Sequence, residues 1–458
     1  MSHPAAAKFK PILGLKELIL FGLTFVGLTA PFPMFGIVSS ISKGHMATAY
    51  LVALMAMVLT ALSYGQMAAA FPAAGSAYTY TRRSLHPILG FVTGWTMLLD
   101  YLLIPLMSVI YVSLTMARLV PNVPYGVWLV FCAVTMTAAN LFGLQITNRA
   151  NLVMSGIMAA SVFWFVGSAI RSLGAGTGEG TLMSLKPFYN SATFSVSDVM
   201  AATSIAAFSY LGFDGISTLA EDARNPVRDI GRATVLVCLI SAVAFVLQAY
   251  LGQLLWPDFN SYPSVETAFL DVARLSGGEF LFSMVSFVLL VAGFASAVTG
   301  QASASRLLFG MGRDGLLPSR VFTYIHPKYS TPTGGVLAVG IVAMLGGFFL
   351  SFQLAAEAVN FGALFGFMCV NASVVSHYFI RRASSQGARI AKHLILPCGG
   401  FVVCFFVFLS LSVTAKWIGV TWCLVGLVGL AYLTKGFQRD LDLLVAASIP
   451  AEKTSIDR

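Results

Sequence analysis

Apolar residues are grouped along the chain into long runs, which are separated by short polar or basic segments. A helix needs about 20 consecutive apolar residues to cross a bilayer, and by that rule the sequence predicts about twelve transmembrane helices. They cover approximately residues 17–42, 46–70, 87–117, 125–145, 150–172, 198–221, 232–256, 279–309, 333–351, 354–380, 394–414 and 417–435. The pattern therefore predicts an all-α integral membrane fold with a single transmembrane domain over residues 17–435.

Two of these runs, the first and the sixth, contain residues that interrupt a helix. The first holds two prolines in the segment 27–36, and the sixth holds Gly212, Asp214 and Gly215 in the segment 208–222. A helix in hydrocarbon must satisfy its own backbone, and a carboxylate at mid-membrane costs roughly 2.5–3.5 kcal/mol. Such breaks are typical of secondary transporters, in which two discontinuous helices form the binding site. The sequence therefore predicts that helices 1 and 6 are broken at mid-membrane.

The positions of the two breaks divide the chain into two equivalent halves. If spans 1–5 and 6–10 are repeats, each repeat opens with its broken helix, and five spans per repeat force the halves into opposite orientations. This predicts a 5+5 inverted repeat over about residues 17–172 and 198–380, with peripheral helices over about 394–435. Residues 1–16 and 436–458 are predicted to be tails.

Composition and charge agree with a membrane protein. The chain has 458 residues, of which 57% are hydrophobic and 10% charged, whereas a soluble protein has about 25% charged residues. With a cytoplasmic N-terminus, 21 of the 27 Lys and Arg residues fall on the inner side. The positive-inside rule then predicts that both tails are cytoplasmic. The net charge of +9 is thus a topology signal, and nucleic-acid binding is not expected.

The cysteine and histidine patterns give no sign of metal or catalytic chemistry. The six cysteines lie in apolar runs without CxxC spacing, which predicts free buried thiols, and the six histidines lie at span ends or in loops. A membrane-embedded enzyme would need a Ser/His, paired Asp or His-rich group at membrane depth. We therefore expect no enzyme activity, no cofactor and no metal site.

Four stretches carry more information than hydropathy alone. In chain order they cover residues 71–80, 208–226, 303–318 and 326–332. In this order and at these spacings they resemble the amino acid/polyamine/organocation permease superfamily, and the resemblance covers about residues 14–435. Within that superfamily the chain is most similar to bacterial putrescine importers. That narrower similarity is carried by residues 35–39, 98–102, 310–314 and 360–364.

The resemblance implies alternating-access transport across a bacterial inner membrane, driven by an ion gradient. In amino acid members, the substrate carboxylate binds free backbone N–H groups at the break in the first span, where a helix N-terminus favours anions. The corresponding stretch here is residues 30–33, in which Pro31 and Pro33 have no N–H. This favours a substrate without a carboxylate, although a proline kink with no bearing on the ligand is equally open.

Carboxylates and aromatic rings near the breaks suit an amine. Asp214 lies in the sixth-span break, and Asp100, beside Tyr101, lies within the third span. Aromatic rings can add cation–π contacts of about 0.5–2 kcal/mol each. The predicted substrate-binding residues are Thr29, Ala30, Pro31, Phe32, Asp100, Tyr101, Phe208, Ser209, Tyr210, Phe213 and Asp214.

Acidic residues are also the candidates for energy coupling. A buried carboxylate can carry a proton and can be neutralised by a cationic substrate. The residues predicted to serve proton coupling or gating are Asp214, Asp100, Glu221 and Asp222. Many amino acid members of the superfamily carry a lysine in the fifth span, and here that position is Met158. The lysine-based coupling scheme is therefore not expected to transfer.

Two functions are compatible with these residues. The first is proton-coupled import of a small cationic amine of the putrescine or polyamine type. The second is that of an amino acid:proton symporter or an amino acid exchanger of the same superfamily. A channel is disfavoured because the helices are broken. The expected partners are a small-molecule amine or amino acid and the lipid bilayer, and the oligomeric state stays open.

Overall fold

The computed structural model describes residues 13–72, 76–143, 148–220, 222–313, 318–329, 331–381 and 390–434. The α-helices are α1 (Leu15–Val26), α2 (Pro31–Ile41), α3 (Met46–Ala70), α4 (Ser76–Ser84), α5 (Pro87–Leu119), α6 (Tyr125–Leu141), α7 (Asn148–Gly174), α8 (Val196–Ala206), α9 (Pro226–Leu255), α10 (Ala268–Arg313), α11 (Ser319–Phe322), α12 (Thr333–Phe349), α13 (Phe352–Val374), α14 (Leu396–Leu409) and α15 (Val413–Leu433). Two 3-10 helices, Ala207–Tyr210 and Phe213–Leu219, follow α8, and π-helical turns cover Val375–Ile380 and Ala391–Ile395. Within the described ranges the only β pairing is two isolated bridges. The predicted all-α fold is confirmed.

Twelve segments correspond to the predicted spans. Nine of the described helices are long and apolar enough to cross a membrane, and the bent pair of α1 and α2 makes a tenth. The shorter apolar helices α6 and α12 bring the total to twelve. Large apolar side chains point outward from these helices, among them Phe163, Val243 and Val428. Soluble monomers rarely expose extended apolar patches, so this surface fits a lipid environment.

The first span is broken where the sequence predicts. α1 ends at Val26, and Gly27 has a φ of 75°, a backbone conformation that favours glycine. α2 begins at Pro31 and is bent by 56° from α1. Pro31 and Pro33 lie in the first turn of α2, where a missing N–H costs no helical hydrogen bond. The break therefore covers residues 27–30, and the prolines belong to the second half-helix.

The sixth span is unwound over a longer stretch. α8 ends at Ala206, and the chain continues as the two 3-10 helices, which are joined by Leu211 and Gly212. Gly212 has a φ of 112°, and an added Cβ there would lie 2.5 Å from the ring of Phe25 in α1. Both the backbone conformation and the space therefore require glycine at this position.

The helices pair as inverted repeats should. α3 of the first half packs against α9 of the second, with Tyr50 near Phe245 at one end and Gly65 near Gly231 at the other. Residue numbers rise along one helix as they fall along the other, so the two helices are antiparallel. α5 packs against α10 in the same way, with Pro105 near Gly300 and Val112 near Gly293. α6 likewise packs against α12, with Leu129 near Gly347 and Thr137 near Gly340. In all three pairs, a span packs antiparallel to the span five places later, as the predicted 5+5 inverted repeat requires.

One segment that the hydropathy pattern leaves outside the spans is helical. The pattern begins the eighth span near residue 279, whereas α10 already begins at Ala268 and changes direction at Gly278. The additional segment carries Asp271, which forms an ion pair of 2.5 Å with Arg118 near the end of α5. Because this segment contains charged residues, the hydropathy pattern does not include it in the eighth span. The charged residues do not prevent it from forming a helix. Of the predicted tails, residues 1–12 and 436–458 lie outside the described residues.

Candidate functional site

The two breaks meet against α3. The Ser209 hydroxyl, in the first 3-10 helix of the sixth span, donates to the Ala30 carbonyl at 3.4 Å. The same hydroxyl lies 3.0 Å from the Tyr50 hydroxyl of α3. The Tyr210 hydroxyl donates to the Tyr50 carbonyl at 3.1 Å. The structure therefore brings together three of the predicted binding residues, Ala30, Ser209 and Tyr210, around one residue of α3.

The start of α2 offers few backbone donors to a ligand. Pro31 and Pro33 have no N–H, and the Phe32 N–H already donates to the Thr29 carbonyl at 3.0 Å. A helix N-terminus binds anions through free N–H groups of this first turn. In these three residues such groups are absent or already bonded, so the usual anchor for a substrate carboxylate is lacking here.

Two N–H groups just before α2 are available. Among the described residues, the N–H groups of Leu28 and Thr29 donate no hydrogen bond. The Leu28 carbonyl, by contrast, accepts a hydrogen bond from Nε2 of Gln248 in α9 at 3.0 Å. The first break therefore retains two donors, and one of its carbonyls is tied to a neighbouring span.

Asp214 is held at the sixth-span break by its own backbone. Its carboxylate accepts a hydrogen bond from the Gly212 N–H at 3.3 Å. Its carbonyl accepts from the Ser217 hydroxyl at 2.7 Å, and that hydroxyl lies 2.8 Å from the Ser76 hydroxyl at the start of α4. These bonds keep the carboxylate next to the glycine at which the helix is interrupted.

Asp100 lies on α5 and faces α13. Its Oδ1 atom is buried and has no hydrogen-bond partner in the described part of the chain. An added Cβ at Gly362 of α13 would lie 3.2 Å from that oxygen and 2.4 Å from the Thr96 carbonyl, so glycine allows this close approach. Asp100 and Asp214 are close enough for their charges to interact, and both interact with Tyr64 of α3. The charges of the two predicted carboxylates therefore both act on Tyr64.

The other predicted aromatic residues near Asp214 differ in exposure. Phe213 is fully buried and packs against Tyr64 and Phe367, with ring centroids 5.9 Å and 5.2 Å apart. Phe208 is partly buried, whereas Tyr101 on α5 is exposed and interacts with the charges of both carboxylates. Phe213 and Tyr101 therefore lie in the surroundings of the carboxylates, one of them inside the protein and the other at its surface.

Phe32 belongs to a different aromatic cluster. Its ring stacks on Phe269 with a centroid distance of 3.7 Å and meets Phe165 edge-on at 6.1 Å. All three side chains are fully buried. The described contacts of Phe32 thus connect the start of α2 with α7 and α10, and they do not include either carboxylate.

The remaining candidates for coupling lie near the end of the sixth span. The Asp222 carbonyl accepts a hydrogen bond from the Leu13 N–H at 3.0 Å. Glu221 lies outside the described residues. Met158, the residue at the fifth-span position discussed above, lies in α7 and is partly buried.

Three buried polar residues near the breaks are missing from the sequence prediction. They are Tyr64, Gln248 and Asn360, and each has a buried oxygen without a hydrogen-bond partner among the described residues. The Asn360 side chain donates to the Ser204 carbonyl, just before the unwound part of the sixth span, at 2.6 Å. A polar side chain inside an apolar run is costly, which is a signal of function for Gln248 and Asn360. Tyr64 carries no comparable signal, because tyrosine is common in apolar runs.

Comparison with known proteins gives a consistent result. The amino acid permease family model matches residues 22–429. The low-affinity putrescine importer PlaP of Escherichia coli (strain K12) is 33% identical over 452 residues, which cover 96% of this chain and 98% of that protein. The branched-chain amino acid permease BcaP of Bacillus subtilis (strain 168) is 24% identical, over 90% of this chain and 92% of that protein. The vacuolar cationic amino acid transporter 4 of Arabidopsis thaliana is 24% identical, over 81% and 63% respectively.

Proposed function

Because the chain belongs to the amino acid permease family, and is thus a multi-pass membrane transporter and not an enzyme, we propose that it imports a small cationic amine of the putrescine class. In this proposal it is a secondary active transporter of a bacterial inner membrane, with both termini in the cytoplasm. Import proceeds by alternating access and is coupled to protons.

Two carboxylates whose charges interact carry this proposal. Asp100 and Asp214 lie inside the transmembrane domain, and none of the ion pairs among the described residues involves either of them. A charge taken out of water without a partner is expensive, so a buried carboxylate calls for a cation or a proton. Since no cationic side chain of the described residues forms an ion pair with either carboxylate, a substrate ammonium group is the partner that fits.

The first break supports the same substrate class. The first turn of α2 has no free N–H to hold a carboxylate, because of Pro31, Pro33 and the bond made by Phe32. An amine without a carboxylate does not need those donors. The similarity to a protein named as a putrescine importer, over nearly the whole of both chains, points in the same direction.

The electrostatic interaction between the two carboxylates supports proton coupling. Two negative charges close together in a medium of low dielectric constant repel each other strongly. A proton on one of them, or an ammonium group between them, removes that repulsion. We propose that proton and substrate alternate in neutralising Asp100 and Asp214, which links their movements across the membrane.

One observation favours amino acid transport as the second candidate. The N–H groups of Leu28 and Thr29 donate no hydrogen bond among the described residues, so they can accept a carboxylate in spite of the prolines. The similarity to BcaP, a branched-chain amino acid permease by name, agrees with this alternative.

Uptake into proteoliposomes separates the two candidates. We expect labelled putrescine to accumulate when the outside is more acidic than the inside, and excess diamine to compete with it. We expect Asp100→Asn and Asp214→Asn to abolish this uptake. Uptake of a neutral amino acid in place of putrescine would overturn the proposal in favour of the second candidate.

A matched control is available in α13. Glu357 is a buried carboxylate, whereas Asp100 and Asp214 are partly buried. Both oxygens of Glu357 accept hydrogen bonds, one from Gln353 at 2.9 Å and one from the Ser412 N–H at 2.8 Å. We expect Glu357→Gln to transport putrescine in proportion to the amount of folded protein. Equal loss of uptake in all three variants would show that removing any carboxylate from the transmembrane domain inactivates the protein, and the special role of Asp100 and Asp214 would be refuted.

A further inference from the structure

Gln248 has an unused hydrogen-bond acceptor beside the first break. It lies in α9, its side chain is 1% exposed, and its Nε2 donates to the Leu28 carbonyl at 3.0 Å. A carbonyl only accepts hydrogen bonds, so the amide nitrogen must face Leu28, and this fixes the orientation of the side chain. The other end, Oε1, is buried and has no partner among the described residues.

An acceptor of this kind needs an explanation. Roughly 90% or more of buried polar groups in proteins have a hydrogen-bond partner, and an exception points to a missing water, ion or ligand. Gln248 is tied to the backbone of the interrupted helix, where a transporter of this architecture binds its substrate. A ligand or water that donates a hydrogen bond, or a cation, would satisfy this oxygen.

The sixth-span break has a matching arrangement, in which Tyr64 takes the place of Gln248. Tyr64 lies 37 residues after Gly27, and Gln248 lies 36 residues after Gly212, so the two occupy nearly equivalent positions in the repeats. Tyr64 packs on Phe213 at the sixth-span break, and its hydroxyl is likewise buried without a hydrogen-bond partner in the described residues. The second span of each repeat thus brings at least one polar side chain to the break of the opposite repeat, Gln248 to the first break, and Tyr64 together with Tyr50 to the sixth-span break.

The two ends of the site differ in charge. The sixth-span break has Asp214 and, within reach of its charge, Asp100 and Tyr64. The first break has the amide oxygen of Gln248, which accepts a hydrogen bond but carries no charge. A ligand that satisfies both ends carries an ammonium group at one end and a hydrogen-bond donor at the other.

We propose that Gln248 is a specificity-determining residue, whose Oε1 accepts a hydrogen bond from the second amino group of a linear diamine. The first amino group binds at the carboxylates of the sixth-span break. This inference rests on the proposed amine transport and extends it, because it predicts that a diamine is preferred over a monoamine of the same length.

Competition by three four-carbon compounds tests this assignment. The compounds are a diamine, an amino alcohol and a monoamine, each used to inhibit uptake of labelled putrescine by the reconstituted protein. In the wild type we expect both the diamine and the amino alcohol to inhibit more strongly than the monoamine. The charged donor of the diamine should improve inhibition by about 10- to 100-fold, and the neutral hydroxyl of the amino alcohol by about 2- to 10-fold. In Gln248→Met this difference should shrink to about threefold or less, while inhibition by the monoamine is unchanged.

Two further variants separate binding from folding. Gln248→Glu keeps an acceptor oxygen but loses the amide that donates to the Leu28 carbonyl, and only the protonated acid can replace that donor. In that form it should retain the preference for the diamine. Gln253→Met is the matched control, because Gln253 is also a buried glutamine of α9, but both ends of its side chain are bonded. Its Oε1 accepts from the Ser39 hydroxyl at 2.5 Å, and its Nε2 donates to the Trp256 carbonyl at 3.2 Å. This variant should lower the amount of folded protein without changing the order of inhibitors.

The outcomes distinguish this inference from the proposed function. If the wild type takes up no amine, both fall. If it takes up putrescine but Gln248→Met keeps the full preference for the diamine, or Gln248→Glu loses it, only the role of Gln248 is overturned. If uptake depends on sodium and Gln248→Met removes that dependence, the oxygen binds an inorganic cation and the assignment to substrate is wrong.

Discussion

A short backbone pairing joins the two broken spans at their predicted cytoplasmic ends. The Leu13 N–H donates to the Asp222 carbonyl at 3.0 Å, and the Arg224 N–H donates to the Leu13 carbonyl at 2.9 Å. Leu13 and Ala223 thereby form an isolated parallel bridge between the residues before α1 and those after the second 3-10 helix. Because release of substrate to the inside requires these ends to separate, we predict that the pairing opens and closes during each transport cycle.

The strength of the pairing suits a gate. A typical intramolecular hydrogen bond contributes about 0.5–1.5 kcal/mol, so two of them favour the closed arrangement by about 1–3 kcal/mol. That corresponds to a shift of about 5- to 150-fold between two conformations. The closed form is then preferred, but a substrate or proton with moderate preference for the open form can reverse the balance.

A reversible cross-link tests this prediction. Leu13→Cys and Ala223→Cys would be combined in a Cys398→Ser background, because Cys398 is the exposed one of the native cysteines in the described chain. Paired strands lie about 4.8 Å apart, within the Cα separation of about 4.4–6.8 Å that a disulfide needs. We expect oxidation to block putrescine uptake in proteoliposomes and a reducing agent to restore it.

The two single-cysteine variants serve as controls, and oxidation should leave their uptake unchanged. The fraction of cross-linked protein can be measured from its mobility on a non-reducing gel. If protein that is fully cross-linked still transports at the uncross-linked rate, the pairing stays closed throughout the cycle, and the gating role is refuted.

Two further substitutions test the break and the outer ion pair. Gly212→Ala should abolish uptake, because the backbone at this position has a φ of 112°, which a residue with a Cβ rarely adopts, and because the Cβ would lie 2.5 Å from the Phe25 ring. Gly167→Ala, where nothing lies within 4 Å of the added Cβ, should transport normally in the same assay. Arg118→Gln leaves the buried Asp271 carboxylate without its ion-pair partner and should destabilise the protein by about 1–3 kcal/mol, measured as a lower thermal transition temperature in detergent. Adding Asp271→Asn to this variant should recover part of the lost stability. If the losses of the two single variants simply add in the double variant, the reasoning is refuted.

The positions of the breaks could be predicted because their signal is local. Glycine and proline inside an apolar run disturb a helix wherever the run lies in the fold, so segments 27–36 and 208–222 are recognisable without any knowledge of their neighbours. The structure narrows the first of these to residues 27–30, since prolines are tolerated in the first turn of a helix. The twelve spans follow from the same kind of local pattern.

The partners of individual side chains could not be predicted in this way. The length of an apolar run does not tell how the helix is rotated about its axis, and the runs here are apolar on nearly all faces. Thus nothing in the sequence places Phe32 against Phe269, or Gly362 against Asp100. The helical segment from Ala268 was missed for a related reason, because its charges exclude it from the apolar run.

The differences between the two repeats carry more functional information than their similarity. Because the two repeats have the same backbone fold, each contains a broken helix, and each can adopt the conformation of the other during alternating access. Identical side chains at both breaks would bind both ends of a ligand in the same way and would not orient it. Here one break has Asp214, with the charge of Asp100 in reach, while the other has the uncharged oxygen of Gln248. A charged amine is therefore expected to bind with a defined end at the sixth span, next to the groups proposed to carry the proton.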